Sequence, residues 1–179
     1  MNTKIESWLK SIDEVTNEFK NKFGHLTDDK LNFKPHPKTW SIAQNINHMI
    51  VTNSSYFPVI DKIRSGNYKT GWLSQFNFIN NFFGNLILGS VKADRKRKMK
   101  TFPVWEPGSS NLENILGKFE NHQNDLKKLI IDSEDLLKKG QIVASPANNN
   151  ITYKLEHAFD IMVNHELRHL EQAKEIKYE

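Results

Sequence analysis

The sequence predicts an all-α protein, a four-helix bundle with one long crossover. Three observations carry this. Four stretches repeat their apolar residues at intervals of three and four, the period of a helix. No stretch alternates polar and apolar residues for long enough to suggest a sheet. The connection over 66–109, between the second and third stretches, is long, which gives the bundle a non-simple topology. At 179 residues and 20.9 kDa, the chain has room for one core and is read as a single domain over 1–179.

The first helix opens at Thr3-x-x-Glu6, a capping-box pattern. It carries the stripe Ile5, Trp8, Ile12, Val15, Phe19 and meets a stop at Gly24. The second follows the Pro35/Pro37 loop. It begins at Ser41-x-x-Gln44, again a capping box, and runs to about Ser65 with Gly66 beyond. The segment 70–91 has no charge, yet it holds Gln75, Asn77, Asn80, Asn81 and Asn85. Amides left unpaired in lipid cost a few kcal/mol each, so the segment is not read as a membrane span. Phe76, Ile79, Phe83 and Leu86 instead predict a short amphipathic helix lying on the protein. The third helix starts at Ser110-x-x-Glu113 and carries Leu112, Ile115, Phe119, Leu126 and Ile130. The fourth runs from about Thr152 to Ile176.

Composition narrows the function. Charged residues at 26% and aromatic residues at 11% exclude a disordered chain, although the 37% of apolar residues makes for a modest core. There is no cysteine, which excludes disulfides, zinc–thiolate sites, iron–sulfur clusters and a cysteine nucleophile. That absence suits a reducing compartment. The opening MNTKIESWLK has no apolar signal core, so the expected location is the cytoplasm. The net charge of +4 is local. Lys92 to Lys100 holds six bases and one acid, so the rest is close to neutral. The run reads as a solvated loop ahead of two alternatives, attraction of an anionic substrate and polyanion binding. No nucleic-acid-binding motif accompanies it, and no nucleic-acid partner is expected.

The fourth helix carries the chemistry. On a wheel centred on His165, His169 falls at about 40°, Ala158 at about 20° and Met162 at about 60°. Both histidines therefore sit in the core-facing stripe. Two imidazoles at i and i+4 can share one metal ion. Glu166, at about 100°, falls at the rim. The run His165-Glu166-Leu167-Arg168-His169 spells H-E-x-x-H, in which zinc proteases use the glutamate as a base. A protease is the weaker reading. Gln172 stands where the extended motif wants glycine, and no edge strand is visible to hold a peptide. A third ligand must come from elsewhere, and His48, His122, His157, His36 and His25 are the candidates. His157 falls off the stripe and reads as a surface residue. His122 sits at the edge of the third helix's stripe. His25 and His36 are in loops. His48 faces a small, mixed side of the second helix, nearly opposite its apolar stripe. Periodicity alone does not decide among them.

The entry to the second helix, Leu31-Asn32-Phe33-Lys34-Pro35 … Trp40-Ser41-Ile42-Ala43-Gln44 … His48, resembles the first motif of the DinB/YfiT-like metalloprotein superfamily. His165-x-x-x-His169-x-x-Gln172 resembles its closing motif. Lys98-Met99-Lys100-Thr101 … Pro107 resembles the stretch before its third helix. The resemblance spans nearly the whole chain, with weak loops at 66–90 and 132–150. It implies an up-down-down-up four-helix bundle, often dimeric, with a divalent metal bound at one end by three histidines. It selects His48 beside His165 and His169, and it implies a hydrogen-bonding role for Gln172 behind them. Zinc, nickel, manganese and iron all accept imidazole, so the ion is not specified. The implied activities are transfer of a low-molecular-weight thiol such as bacillithiol to an electrophilic small molecule, and metal-dependent hydrolysis or isomerisation. Glu166 is at most a candidate base. The alternative is a non-catalytic metal-binding sensor or stress protein. Val51 and Val59 lie opposite Ile46 and Ile50 on the second helix, and this surplus apolar face predicts a homodimer.

Overall fold

A computed structural model describes residues 2–92, 101–108 and 111–177. Helix α1 (Thr3–Phe23) is capped one residue earlier than the sequence pattern suggests. The Asn2 side chain accepts from Lys4 N, and Thr3 is already helical. Its stripe Ile5, Trp8, Ile12, Val15, Phe19, Phe23 is buried throughout. A short helix α2 (Asp28–Asn32) follows. Helix α3 (Ile42–Ser54) opens with a complete capping box. Ser41 Oγ accepts from Gln44 N at 3.0 Å, and Gln44 Oε1 accepts from Ser41 N at 3.2 Å. The expected single helix to about Ser65 is two helices, because α4 (Phe57–Arg64) starts afresh with Pro58 in its first turn. Proline has no N–H to continue the ladder, and its ring collides with the carbonyl four residues back.

The crossover contains a 3-10 turn at Trp72–Gln75, helix α5 (Asn77–Val91) and a second 3-10 turn at Pro103–Trp105. Helix α5 lies on the protein, as 70–91 predicts, and packs against the last helix, but by a different face. Asn80 and Gly84 are buried, whereas Phe76 and Leu86 are exposed. Gly84 is required by close approach, since a Cβ there would stand 2.6 Å from His157 Cγ. Among the described residues no helix is long and apolar enough to cross a membrane. The basic run, apart from Lys92, lies outside the described residues.

Helix α6 (Ile115–Asp132) begins after Asn114, which has φ 48°. The expected cap at Ser110 lies outside the described residues. A short helix α7 (Glu134–Lys138) leads to a hairpin that the sequence pattern does not predict. Its strands are β1 (Ile142–Ser145) and β2 (Asn148–Lys154), antiparallel, with Val143 opposite Tyr153. Helix α8 (Leu155–Lys174) therefore starts at Leu155 rather than Thr152, which belongs to β2.

The fold is mostly helical. Helices α1 and α3 each pack on both α6 and α8. Apolar residues gather in two clusters. One holds Trp8, Ile12, Tyr56, Leu126, Phe159 and their neighbours. The other holds Phe19, Ile46, Met49, Phe119, Leu170 and theirs. Phe19 meets Phe119 edge-on at 5.3 Å, a contact whose truncation to alanine costs about 3–5 kcal/mol. Between the clusters, three helices carry buried polar residues at one level. They are Thr52 and Asn53 on α3, His122 and Gln123 on α6, and Glu166 on α8.

Candidate metal centre

Helices α3 and α8 bring His48, His165 and His169 together. His48 and His169 are buried, and His165 is partly so. The Nε2 atom of His165 stands 3.2 Å from that of His48 and 3.0 Å from that of His169. The other ring nitrogens fix the proton count. His48 Nδ1 lies 2.7 Å from the Trp105 carbonyl, which only accepts, so this nitrogen donates. Asn45 Nδ2 donates to Ser41 O at 2.9 Å, which turns Asn45 Oδ1 toward His169 Nδ1 at 2.8 Å. That nitrogen also donates. In the neutral form of each ring, the Nε2 atoms of His48 and His169 are therefore bare lone pairs. Only His165 can place a proton among the three. Bonds of about 2.0–2.1 Å to a shared tetrahedral ion would hold ligand nitrogens about 3.3 Å apart, close to the spacing here. The group could hold a metal ion.

Burial favours the neutral, ligating form of two of these rings. Burial lowers His48 below the ordinary histidine value, with the Trp105 carbonyl opposing it. Burial, then the charges of His48 and Arg168, push His165 down to about 3. Neutral imidazole is the species that binds metals. Trp40 covers one side, stacked on His169 at 5.7 Å between ring centres and 14° between planes, and 4.8 Å from His48. Its surroundings form a depression of about 290 Å³ lined by Lys34, Lys38, Gln44 and Glu106 among others.

Glu166 is not at the rim. It is fully buried, because α3 and α6 cover that side of α8. Its Oε1 accepts from Asn53 Nδ2 at 2.7 Å and its Oε2 from Gln123 Nε2 at 2.8 Å. Burial pushes its pKa up to about 7, against the two amide hydrogen bonds that lower it. Gln172 is half-buried, and no hydrogen bond joins its side chain to the three imidazoles among the described residues. Asn45 is a hydrogen-bond partner of His169. Neither it nor the Trp105 carbonyl is identified by sequence spacing. An asparagine one turn before a histidine is the only signal for the first, and a backbone oxygen leaves none for the second. His122 is buried against Phe57 and Ser54, apart from the triad. His157 is half-buried beneath α5 and not a surface residue. His25 and His36 are exposed.

A family model for the DinB superfamily matches residues 11–173. The chain belongs to the DinB superfamily. No curated protein and no solved structure gives a significant match. In this DinB-superfamily chain the matched span takes in Trp40, Asn45, His48, Trp105, His165, Glu166 and His169, so the residues that orient and cover the three imidazoles lie within it.

Proposed function

We propose that this DinB-superfamily protein is a metalloenzyme in which His48, His165 and His169 hold one divalent ion beside an open small-molecule site. Transfer of a low-molecular-weight thiol is favoured over hydrolysis. The observation that carries the reading is the convergence of three imidazole nitrogens within 4.8 Å of one another, with His165 Nε2 at 3.2 and 3.0 Å from the other two and the Nδ1 atoms of His48 and His169 held by acceptors behind them. Bound there, a divalent ion would supply a Lewis acid that favours the thiolate or hydroxide form of a coordinated thiol or water. The chain's own residues aim the ligands and shield them. Trp105 O and Asn45 fix two rings, and Trp40 limits water on one side. With no cysteine in the chain, a sulfur nucleophile must arrive with a substrate. The depression that Trp40 lines, next to the His169 ring it stacks on, is the candidate place for such a molecule. The reading includes a cytoplasmic location and an up-down-down-up course of the long helices.

Metal analysis of protein purified without a nickel column tests the centre. Wild type is expected to carry one divalent ion per chain and His165→Ala none. Wild type without stoichiometric metal would reject the site. Metal-dependent conjugation of a thiol to monochlorobimane tests the chemistry. Metal without conjugation or hydrolysis would favour a binding or sensor protein. The reading also includes a homodimer, supported by apolar residues left outside. Val51 is 38% exposed on α3, and Phe78, Phe82 and Leu86 are 72%, 62% and 57% exposed along α5. Sedimentation at micromolar concentration giving a mass near 20.9 kDa would reject the dimer.

A further inference from the structure

Glu166 occupies the position that an H-E-x-x-H protease gives to its base, yet its surroundings suit another task. It follows His165, and the helical step of about 100° turns it away from the imidazoles toward α3 and α6. There its two oxygens are divided between two helices, one to Asn53 and one to Gln123. Asn53 belongs to α3, the helix that carries His48. The carboxylate thus ties the two ligand-bearing helices to each other and to α6.

The level of this contact matters. On α3 it falls between Met49 and Tyr56, on α6 between Phe119 and Leu126, and on α8 between Val163 and Leu170. Apolar packing above and below is non-directional and tolerates small rotations. Hydrogen bonds of 2.7 and 2.8 Å to a carboxylate do not. The required accuracy can be estimated. An imidazole nitrogen roughly 7 Å from the axis of α8 moves by roughly 1 Å when the helix turns by about 10°. Metal sites hold their bond lengths to about 0.2 Å.

We propose that Glu166 is a positioning residue, not a base: its clamp by Asn53 and Gln123 sets the rotation of α8 that points His165 and His169 at His48. The inference rests on the three-histidine reading. It also predicts which substitution is harmless to the clamp. A glutamine at 166 can accept from Asn53 and donate to Gln123 Oε1, a buried oxygen with no hydrogen-bond partner among the described residues. Alanine can do neither.

The test is Co²⁺ binding, by competition with a chromophoric chelator and by the visible spectrum of the bound ion. Glu166→Ala should weaken binding about 10- to 100-fold and alter the spectrum, as loss of supporting hydrogen bonds does elsewhere. Glu166→Gln should stay within about threefold of wild type, the rescue expected of a geometric role. Gln123→Leu and Asn53→Ala each remove one half of the clamp and should each weaken binding, which keeps the test open if Glu166→Ala does not fold. Wild-type affinity and spectrum in Glu166→Ala, or in both half-clamp variants, would overturn the inference even if melting temperatures fall. So would Glu166→Gln that keeps its metal but loses turnover, the pattern of a base. Failure of wild type to bind Co²⁺ would instead overturn the three-histidine reading, and this inference with it.

Discussion

Two groups of buried polar side chains lie side by side in this protein, and they differ in what they lack. At the three histidines, two Nδ1 atoms are satisfied by Trp105 O and Asn45, while the Nε2 lone pairs face one another with at most one proton among them. At the neighbouring level, both carboxylate oxygens of Glu166 are satisfied by amides of the chain itself. One proton on His165 can be shared among the three, but only a cation can take up all three lone pairs at once. The Glu166 carboxyl has a donor from the chain on each oxygen, although Asn53 Oδ1 and Gln123 Oε1 beside it have no hydrogen-bond partner among the described residues. The first group is shaped for something that must be added, and the second is part of the scaffold. Buried polar side chains therefore divide by which of their atoms are left over.

Four outcomes would sharpen or break this contrast, beginning with the largest. His48→Ala should reduce divalent-metal affinity by more than about a hundredfold, beyond the range for outer partners, in chelator competition. An unchanged affinity would remove His48 from the centre. The next concerns His122, a scaffold histidine. Burial lowers it to about 4, with Asp125 opposing. Between about pH 6.5 and about pH 4 the unfolded chain binds a proton that the folded chain refuses, so stability falls as pH falls. The slope is about 1.4 kcal/mol per pH unit, reaching about 3 kcal/mol near pH 4. Above about pH 6.5 the group contributes no pH dependence. Urea unfolding of metal-free His122→Leu at about pH 7 and about pH 5 should show a correspondingly shallower dependence than wild type.

Asn45→Ala should weaken metal binding by about 10- to 100-fold, or about 1.4–2.7 kcal/mol, by freeing the ring of His169. If calorimetry shows no change, the hydrogen bond behind that ligand is ornamental. The smallest effect has the opposite sign. Thr52 Oγ1 is buried with no hydrogen-bond partner among the described residues. Thr52→Val keeps the shape and removes that hydroxyl. It should leave stability unchanged or raise it by up to about 1 kcal/mol in urea unfolding, with metal affinity untouched. A clear loss would mean that the polar level depends on Thr52 as well.

Much of the fold is legible in the sequence, for physical reasons. The stripe of α1 and the capping box of α3 are local, and both are visible in the spacing of residues. His165 and His169 declare themselves by a one-turn separation on an apolar face. His48 needs the family resemblance, since its own face of α3 is mixed. The hairpin escapes because β1 has four residues and β2 opens with three asparagines, too little alternation to read. Pro58 signals the split between α3 and α4, but the apolar periodicity running on to about Ser65 hides it. Glu166 is misplaced by the wheel because the wheel identifies one buried face of α8, whereas α3 and α6 bury a second through amides. Polar partners on distant helices have no periodicity to betray them.

The ring of Trp40 lies on His169 and beside His48, which would make a metal ion held by the three histidines observable by light. An open-shell ion such as nickel, manganese or iron at that distance should quench indole emission. Zinc, with its filled d shell, should leave the emission intact. The chain has four tryptophans, so Trp40→Phe separates this signal from the other three. The protein would then report, without any added dye, which class of ion it has taken up and how quickly it exchanges it.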